Sequence, residues 1–493
     1  MKLSFIEEPE LEFGNGGTHV DIRYGLSAYG PLDVGEATAP NQLRVGLVGT
    51  EETVAALRAW LEKCASGIPA KQSKLSNLFP AFPGFSDSSP FKSSLVFHDR
   101  WCSFIRQREL ESVVSQSGPD DIVRHAVDVF LDHADSIVEQ GGPMVLMCLP
   151  PTDLLAAVDE GPAEVGDPDK QELDEGSEPP SERVDRRPFH DVLKAQGMRL
   201  AVPIQMVRPY TYTGVQRERR ARRRKPKKSA MTMQDEATRA WNIYTALYYK
   251  AGGIPWRLLR ESSDLSTCFV GISFFKSADG ERLMTSVAQV FNERGEGVIV
   301  KGGPAKLDKN DRQPHLSEED ATQLLKAAIQ VYRREHRNNP ARIVVQKTSK
   351  LTPGEQSGFR AAADDHDIDS VDLLAVRRSF TRLFREGTYP PLRGTFMEME
   401  PNAGILYTRG SVPFFQSYPG MYVPRPLELS IARAESTALQ LATEMLALSK
   451  LNWNNTQFDG GEPITVRAAR RVGDILKCVP EGGQVQPGFR FFM

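Results

Sequence analysis

Short apolar segments alternate with amphipathic ones along the first half of the chain. "LRVGLVG" (43–49) and "PMVLMCLP" (143–150) are apolar runs of strand length. The residues after the first run, "TEETVAALRAWLEKCASG", have helical spacing, with Thr50 in the N-cap position and acids in the first turn. Strand, helix and strand in this order predict a parallel sheet of Rossmann-like type.

The same rhythm returns near residue 189. "FHDVLKAQGMRL" is predicted to be a helix and "AVPIQMVRP" a strand. A long helix is predicted in "TMQDEATRAWNIYTALYYKAGG", with Thr232 as its N-cap, Asp235 as the acid of a capping box and Gly252 just beyond its end.

Beyond residue 255 the strands become consecutive. "TCFVGISFF" (267–275), "SVAQVFN" (286–292) and "EGVIVKG" (296–302) are followed by a helix over 317–337 and the strand "ARIVVQK". Three meandering strands, a helix and a strand follow the order of an RNase H-like fold. The predicted fold class is therefore α/β, with a Rossmann-like domain in residues 1–255 and an RNase H-like domain in residues 256–493.

Composition favours a protein of the cytoplasm. The chain is 40% hydrophobic and 25% charged, and no stretch of about 18 apolar residues occurs, so we expect no membrane association. The five cysteines lie far apart and form no C-x-x-C pair. Reduced thiols are therefore expected, with neither a zinc site nor a disulfide framework.

Charge is strongly segregated although the net charge is only -3. Residues 159–185 hold eleven acids and two bases, and we interpret 155–187 as a disordered acidic insertion. Residues 217–228 hold nine bases and one acid, within a predicted loop over 214–230. That loop either contacts a nucleic-acid backbone or is a solvated loop beside the acidic insertion.

A candidate phosphate site lies on the helix near residue 190. His190 and Lys194 are four residues apart and share a face, Gln205 ends the next strand, and Lys250 ends the long helix. Two lysines, an amide and an aromatic ring suit a nucleotide with a terminal phosphate. Taken singly, three of these residues also fit plainer roles. Lys194 suits a solvated helix face, Lys250 a helix C-terminus, and His190 a surface or hydrogen-bonded histidine.

Several longer motifs carry a family resemblance. "ALYYKAGGIPWRL" (246–258), together with the upstream H-x-x-x-K, resembles the guide-binding MID domain of Argonaute proteins. "LYTRGSVPFFQSYPGMYVPRPLEL" (406–429) and "LSKLNWNNTQFDGGEPITVRAARRVGDIL" (448–476) resemble their PIWI domain. The opening "EEPELEFGNGGTHVDIRYGLSAYGPLD" resembles short prokaryotic Argonautes, which lack the N and PAZ domains of longer relatives.

The resemblance implies a role for each residue of the candidate site. His190 takes the place of the aromatic residue that stacks on the first guide base, and Lys194, Gln205 and Lys250 take the places of ligands of the guide 5'-phosphate. In relatives the C-terminal carboxylate helps to hold a metal ion at that phosphate. The resemblance thus implies a Mg²⁺ ion held by Met493 and Gln205.

By the same resemblance, other residues stand where cleaving Argonautes have their carboxylates. The family's G-I-D stands here as Gly271, Ile272 and Ser273, and its R-D-G as Lys347, Thr348 and Ser349. The fourth position falls near Arg467, where a base would repel a metal ion, so the resemblance implies a binder without slicer activity. Other acids near these strands are Asp264, Asp279, Glu293 and Glu296.

Partners also follow from the resemblance. The expected ligands are a small guide RNA and a complementary single-stranded DNA target. The expected protein partner is an APAZ-domain effector of sirtuin-like, TIR or nuclease type, which a bound target activates in antiviral or anti-plasmid defence. Two other functions stay open: a guide-directed nuclease with an unconventional site, and a scaffold subunit that binds no nucleic acid.

Overall fold

The computed structural model describes residues 1–158, 188–214, 234–259, 265–277, 280–291, 297–300, 302–309, 311–384, 386, 390–418, 423–458 and 460–493, with backbone alone for 286–291. Several sequence predictions lie outside these residues. They are the acidic insertion from residue 159 onward, the basic run at 217–228, and the acids Asp264, Asp279, Glu293 and Glu296.

The helices and strands of the described residues are as follows. The helices are α1 (Ile22–Tyr29), α2 (Glu51–Ala65), α3 (Gln107–Val114), α4 (Pro119–Glu139), α5 (Thr152–Ala157), α6 (Phe189–Gly197), α7 (Pro209–Thr213), α8 (Glu236–Lys250), α9 (Glu318–His336), α10 (Pro353–Asp364), α11 (Ala438–Leu448) and α12 (Ile464–Leu476). The strands are β1 (Lys2–Phe5), β2 (Leu11–Glu12), β3 (Thr18–His19), β4 (Gln42–Gly49), β5 (Ser94–Phe104), β6 (Val145–Leu149), β7 (Ile204–Met206), β8 (Arg257–Leu258), β9 (Thr267–Lys276), β10 (Leu283–Phe291), β11 (Gly297–Val300), β12 (Lys306–Leu307), β13 (Pro314–His315), β14 (Arg342–Lys347), β15 (Ser370–Arg378), β16 (Thr395–Glu400), β17 (Ala403–Leu406) and β18 (Leu427–Arg433).

A four-stranded parallel sheet confirms the Rossmann-like prediction. Its order is β5-β4-β6-β7, and every neighbouring pair is parallel. β4 and β6 are the two apolar runs that the sequence singled out. α2 begins after Thr50, whose side chain accepts a hydrogen bond from the backbone N–H of Thr53 at 3.2 Å.

A nine-stranded sheet confirms the RNase H-like prediction. Its order is β1-β16-β17-β18-β15-β14-β9-β10-β11. β9, β10 and β11 form the predicted antiparallel meander, and β14 returns parallel to β9 after α9. Both faces of its centre are buried, one against α9 and α10 and the other against the core that includes α11 and α12.

The N-terminal segment contributes β1 to the nine-stranded sheet and β2 and β3 to a separate three-stranded sheet with β8. β1 pairs antiparallel with β16 as an edge strand of the nine-stranded sheet, and β2 pairs with β8. The carboxylate of Glu8 lies 3.0 Å from Nε of Arg393 and 3.0 Å from Nζ of Lys450, two buried cations. Strands from before and after residue 255 therefore share sheets, while the domain boundary near that residue stays a prediction.

Two predicted boundaries are wrong. Residues 155–157 form the end of helix α5, with Leu155 buried, so the acidic insertion does not begin at residue 155. α8 begins at Glu236 because Asp235 is its N-cap and accepts a hydrogen bond from the backbone N–H of Thr238 at 3.1 Å. Thr232 is therefore not the N-cap, and Asp235 is not the acid of a capping box.

The sequence also led to predictions about the cysteines and about membrane association. All five cysteines are free thiols, and four of them are buried. No helix among the described residues is long and apolar enough to cross a membrane.

Candidate nucleic-acid interface

α6 and β7 bring His190, Lys194 and Gln205 to one place. Pro188 precedes α6, and Phe189 and Leu193 are fully buried on its apolar face. α6 packs against α4 at the side of the parallel sheet. Lys194, one residue after Leu193, is carried into the interior with a side chain that is only 2% exposed. The solvated helix lysine that its spacing also allowed is thereby ruled out.

Lys194 and Gln205 meet at the end of β7. Nζ of Lys194 donates a hydrogen bond to the carbonyl oxygen of Ile204 at 2.9 Å, one residue before Gln205. The amide nitrogen of Gln205 donates to the carbonyl oxygen of Met206 at 3.1 Å. Its Oε1 is buried and accepts no hydrogen bond from any described residue. The amide thus has an acceptor available for a ligand.

Lys250 completes the group from the end of α8. Its side chain is 1% exposed, and its Nζ has no hydrogen-bond partner in the part of the chain that the structure describes. Burial lowers the pKa of Lys250 to about 7. Burial and the positive charge of Lys250 together lower the pKa of Lys194 well below its ordinary value. The two ammonium groups therefore act on each other, as expected if α6 and α8 converge on one point. We call His190, Lys194, Gln205 and Lys250 the α6 pocket.

Arg471 reaches the α6 pocket from the second domain. An Nη of this α12 residue lies 2.7 Å from Nδ1 of His190 and 2.7 Å from Oδ1 of Asp191. Asp191 is buried, and its Oδ1 also lies 2.9 Å from Nδ1 of His190. Sequence reasoning missed Arg471 and Asp191 as members of this site. The only signal was the pair of arginines at 470–471, and helical spacing does not reveal which of them faces α6.

His190 presents a neutral ring. Burial lowers the pKa of His190 to about 3, against the opposing effect of the Asp191 carboxylate. An uncharged imidazole at neutral pH is a planar group that stacks without repelling a cation beside it. The α6 pocket therefore combines an aromatic plane with two buried lysine amino groups, whose charged forms a bound phosphate would stabilise. This is the chemistry of a site for a phosphorylated nucleotide.

The C-terminal residues lie beside α6 and α8. The side-chain amide of Gln486 donates to the carbonyl oxygen of Met198, just after α6, at 3.1 Å. A short 3-10 helix, Phe489–Phe491, contacts α8, and Met493 is buried. The tail therefore packs on the core next to the two helices that form the α6 pocket.

The second candidate region lies at the carboxyl edge of the nine-stranded sheet. The backbone N–H of Thr348 donates to the carbonyl oxygen of Ile272 at 3.0 Å, which sets Thr348 beside Ser273 on the neighbouring parallel strand. Arg467 lies on α12, which packs against β9. The three positions singled out in the sequence thus belong to elements in mutual contact.

Gly271 explains how α12 comes so close to β9. A Cβ atom at Gly271 would lie 2.2 Å from the carbonyl oxygen of Thr465 in α12. Only a glycine permits this approach. The hydroxyl of Thr465 also donates to the side-chain oxygen of Gln346 in β14.

Three solved structures share this architecture. Clostridium butyricum Argonaute, bound to a guide DNA with a 5' deoxycytidine and a 19-mer target DNA, matches with a TM-score of 0.61 and 14% identity over 98% of this chain and 54% of that chain. Aa-Ago with externally bound siRNA matches with a TM-score of 0.56 and 14% identity over 97% and 53%. A. aeolicus Argonaute matches with a TM-score of 0.54 and 13% identity over 98% and 54%. The chain has the Argonaute MID–PIWI fold. It spans about half the length of these Argonautes, and no family model and no curated protein matches it.

The PIWI edge has no cluster of acids in the described residues. Within the part of the chain that the structure describes, no group of three or more His, Cys, Asp or Glu residues is arranged to hold a metal ion. Next to Thr348 lies Lys347, whose buried Nζ is 2.8 Å from Oε1 of Glu355. That acid is therefore paired with a buried base beneath the sheet edge.

Proposed function

We propose that the α6 pocket binds the 5'-phosphate of a small guide RNA. The observation that carries the proposal is the buried amino group of Lys250, which has no hydrogen-bond partner among the described residues and lies within electrostatic reach of Lys194. Burying two cations together costs free energy unless an anion neutralises them. A terminal phosphate supplies that charge together with acceptor oxygens for both ammonium groups.

Different residues of the α6 pocket contact different parts of the guide 5' end. Lys194 and Lys250 bind phosphate oxygens, and the ring of His190 stacks on the first base. Arg471, which now neutralises Asp191, is placed to add a further donor from the PIWI domain. Because both domains contribute, a bound guide end also links MID to PIWI.

A Mg²⁺ ion at the phosphate fits the donor set. Oε1 of Gln205 is a buried oxygen with no hydrogen-bond partner among the described side chains and backbone, and the C-terminal segment that ends in Met493 packs beside the pocket. Mg²⁺ binds few protein oxygens and completes its shell with phosphate oxygens and water. In this proposal Gln205 and the Met493 carboxylate hold the ion, which supplies charge neutralisation at the phosphate.

The guide in turn selects a complementary single-stranded DNA target. Base pairing supplies the sequence recognition, and the protein holds the backbone and the guide end. The fold shared with an Argonaute bound to guide and target DNA, and with one that has externally bound siRNA, supports a guide-directed role.

We propose that this chain does not cleave its target. A two-ion mechanism needs several carboxylates at one point, and Ser273, Thr348 and Arg467 stand where cleaving relatives place theirs. The target-bound complex instead activates a partner, an APAZ-domain protein carrying a sirtuin-like NADase, TIR or nuclease effector. That step and the defence role rest on the resemblance to short prokaryotic Argonautes, and the proposed cytoplasmic location rests on the composition and the scattered cysteines.

The test is to purify the chain with its natural partner and to characterise any bound nucleic acid. The proposal predicts short 5'-phosphorylated RNAs with the wild type and their loss with Lys194→Ala. Adding complementary single-stranded DNA should then switch on the partner while leaving the DNA intact. Absence of nucleic acid from the wild type would instead support a scaffold subunit. Metal-dependent cleavage that is lost on Glu293→Ala would support an unconventional nuclease.

A further inference from the structure

Two phenylalanines stand almost fully exposed on one loop of the PIWI domain. Phe380 is 89% and Phe384 87% exposed, in the segment 379–384 that follows β15. We call this segment the aromatic loop. Burying such a side chain ordinarily stabilises a protein. Two rings left in water on one short segment therefore indicate a binding surface.

The backbone of the aromatic loop is fixed on both sides of Phe380. The backbone N–H of Ser379 donates to the carbonyl oxygen of Pro426 at 2.8 Å, and its hydroxyl accepts from the N–H of Thr381 at 3.2 Å. The N–H of Leu383 donates to the hydroxyl of Tyr407 at 2.8 Å. Because these bonds hold the loop, the two rings are presented at defined places and binding them costs less conformational entropy.

Arginines accompany the rings. The guanidinium carbon of Arg425 lies 5.9 Å from the centre of the Phe380 ring, and Arg382 is exposed and donates to main-chain oxygens of its own loop. Neither arginine forms a salt bridge with a carboxylate in the described part of the chain. Glu386 is the exposed acid nearest in sequence. The aromatic faces are thus combined with two positive charges that no described acid neutralises.

The aromatic loop also lies at the carboxyl edge of the nine-stranded sheet, where Ser273 and Thr348 stand in place of the carboxylates of cleaving relatives. β9 and β15 both run parallel to β14 between them, so their carboxyl ends meet at one edge. Ser273 lies near the end of β9, Thr348 follows β14, and Phe380 follows β15. A nucleic-acid strand that passes Ser273 and Thr348 along this edge therefore approaches the aromatic loop.

We propose that Phe380 and Phe384 stack on unpaired bases of single-stranded nucleic acid, with Arg382 and Arg425 contacting its phosphates. The inference rests on the proposed function, because it assigns the bases to single-stranded target DNA beyond the paired segment. Bases within a duplex already have both faces covered by their neighbours, so exposed rings select unpaired ones. The cation over the Phe380 ring and the exposed charge of Arg382 favour a polyanion as the occupant over a purely apolar partner.

The experiment measures binding of fluorescent target DNA with unpaired flanks to the guide-loaded protein. Phe380→Ala/Phe384→Ala should weaken binding by about 5-fold or more for each stacked base. Phe380→Leu/Phe384→Leu keeps apolar surface without an aromatic face and should weaken it similarly, whereas Phe380→Trp/Phe384→Trp should retain affinity. Leu307→Ala, at a residue 61% exposed in another part of the PIWI domain, is the control for a surface change.

Guide uptake is measured first, so that a failure of the guide-binding proposal can be told apart from a failure of the stacking proposal. If the wild type takes up guide and the Ala variant binds target as tightly as the wild type, the stacking proposal is overturned. If the Leu variant keeps full affinity while the Ala variant loses it, apolar docking replaces stacking and the proposal is also overturned. If the wild type takes up no guide, the proposed function fails. The same variants are then compared on single-stranded DNA alone, where equal binding by wild type and Ala variant overturns the stacking proposal.

Discussion

Arg471 in the PIWI domain lies 2.7 Å, Nη to Nδ1, from His190 in the MID domain. The same guanidinium pairs with Asp191, so one cation at the α6 pocket is held by an acid of the protein itself. A phosphate that enters the pocket competes with Asp191 for Arg471. The acid therefore sets how much of the arginine's charge is available to the guide.

Replacement of this acid should tighten phosphate binding. Asp191→Asn removes a negative charge beside the phosphate and releases Arg471. We therefore expect the affinity for a 5'-phosphorylated guide to rise roughly 10-fold, which corresponds to about 1.4 kcal/mol of binding free energy. Titration of labelled guide RNA measures the change. In the Arg471→Ala background the same substitution should lose the part of its effect that acts through Arg471, and an unchanged effect there would show that Asp191 does not act through the arginine.

Without bound guide, Lys250 should lower the free energy of unfolding relative to an apolar residue at the same position. Lys250→Met removes a buried charge with no partner and fills the same space, so we expect the free energy of unfolding to rise by about 1–4 kcal/mol. Urea unfolding without nucleic acid measures it. The same variant should lose affinity for the guide phosphate, which separates a functional lysine from a structural one. Lys306→Met, at an exposed lysine, is the control.

The pH dependence of stability follows from the same group. The pKa of Lys250 is about 7 in the folded protein, below its ordinary value of 10.5. Between these values the unfolded chain binds more protons, so stability without guide should rise with pH over this window. Denaturation midpoints of wild type and Lys250→Met at several pH values test this, and equal slopes would contradict the assignment.

The Glu8 contact should hold the N-terminal segment to the PIWI sheet. Burial alone would raise the pKa of Glu8, but Arg393 and Lys450 lower it below its ordinary value. Glu8→Ala leaves two buried cations without this acid, and we expect a loss of about 3–5 kcal/mol in unfolding free energy. Glu7→Ala, at the exposed neighbour, should change stability little. Thermal unfolding at neutral pH compares the two.

Gly271 offers a test of the close contact between α12 and β9. Gly271→Ala places a methyl group against the backbone of Thr465, which cannot move without shifting α12, so we expect a loss of about 1–3 kcal/mol. Gly354→Ala is a matched control, because a Cβ there meets its nearest neighbour at 3.9 Å and lies in a helix. Equal stability of the two variants would contradict the tight packing.

The fold was predictable where a single period dominated the sequence. β4, β6 and the meander from β9 to β11 are apolar runs of strand length. The residues of α2 have helical hydrophobic spacing, and Thr50 before them is a recognisable N-cap. The α8 start was mispredicted because Thr232 and Asp235 both suit an N-cap, and only the backbone distinguishes them. The place of β1 depends on pairing with β16, a contact between distant parts of the chain that no local pattern encodes.

The candidate site was predictable for the residues with helical or strand spacing and a motif resemblance. His190 and Lys194 share a helix, but the burial of Lys194 depends on the packing of α6 against α4. Arg471 lies 281 positions from His190 along the chain, so its contact required the tertiary structure. The aromatic loop also escaped sequence reasoning, because exposure of Phe380 and Phe384 is a property of the folded sheet edge.

The most direct test of the central claim compares guides that differ only in their 5' end. Affinities of one RNA with a 5'-phosphate and with a 5'-hydroxyl are measured for wild type and for Lys250→Met. We predict that the wild type prefers the phosphate by about 1.5–3 kcal/mol, roughly 10- to 150-fold, and that the variant loses most of this preference. Equal affinity of the wild type for both RNAs would contradict the account.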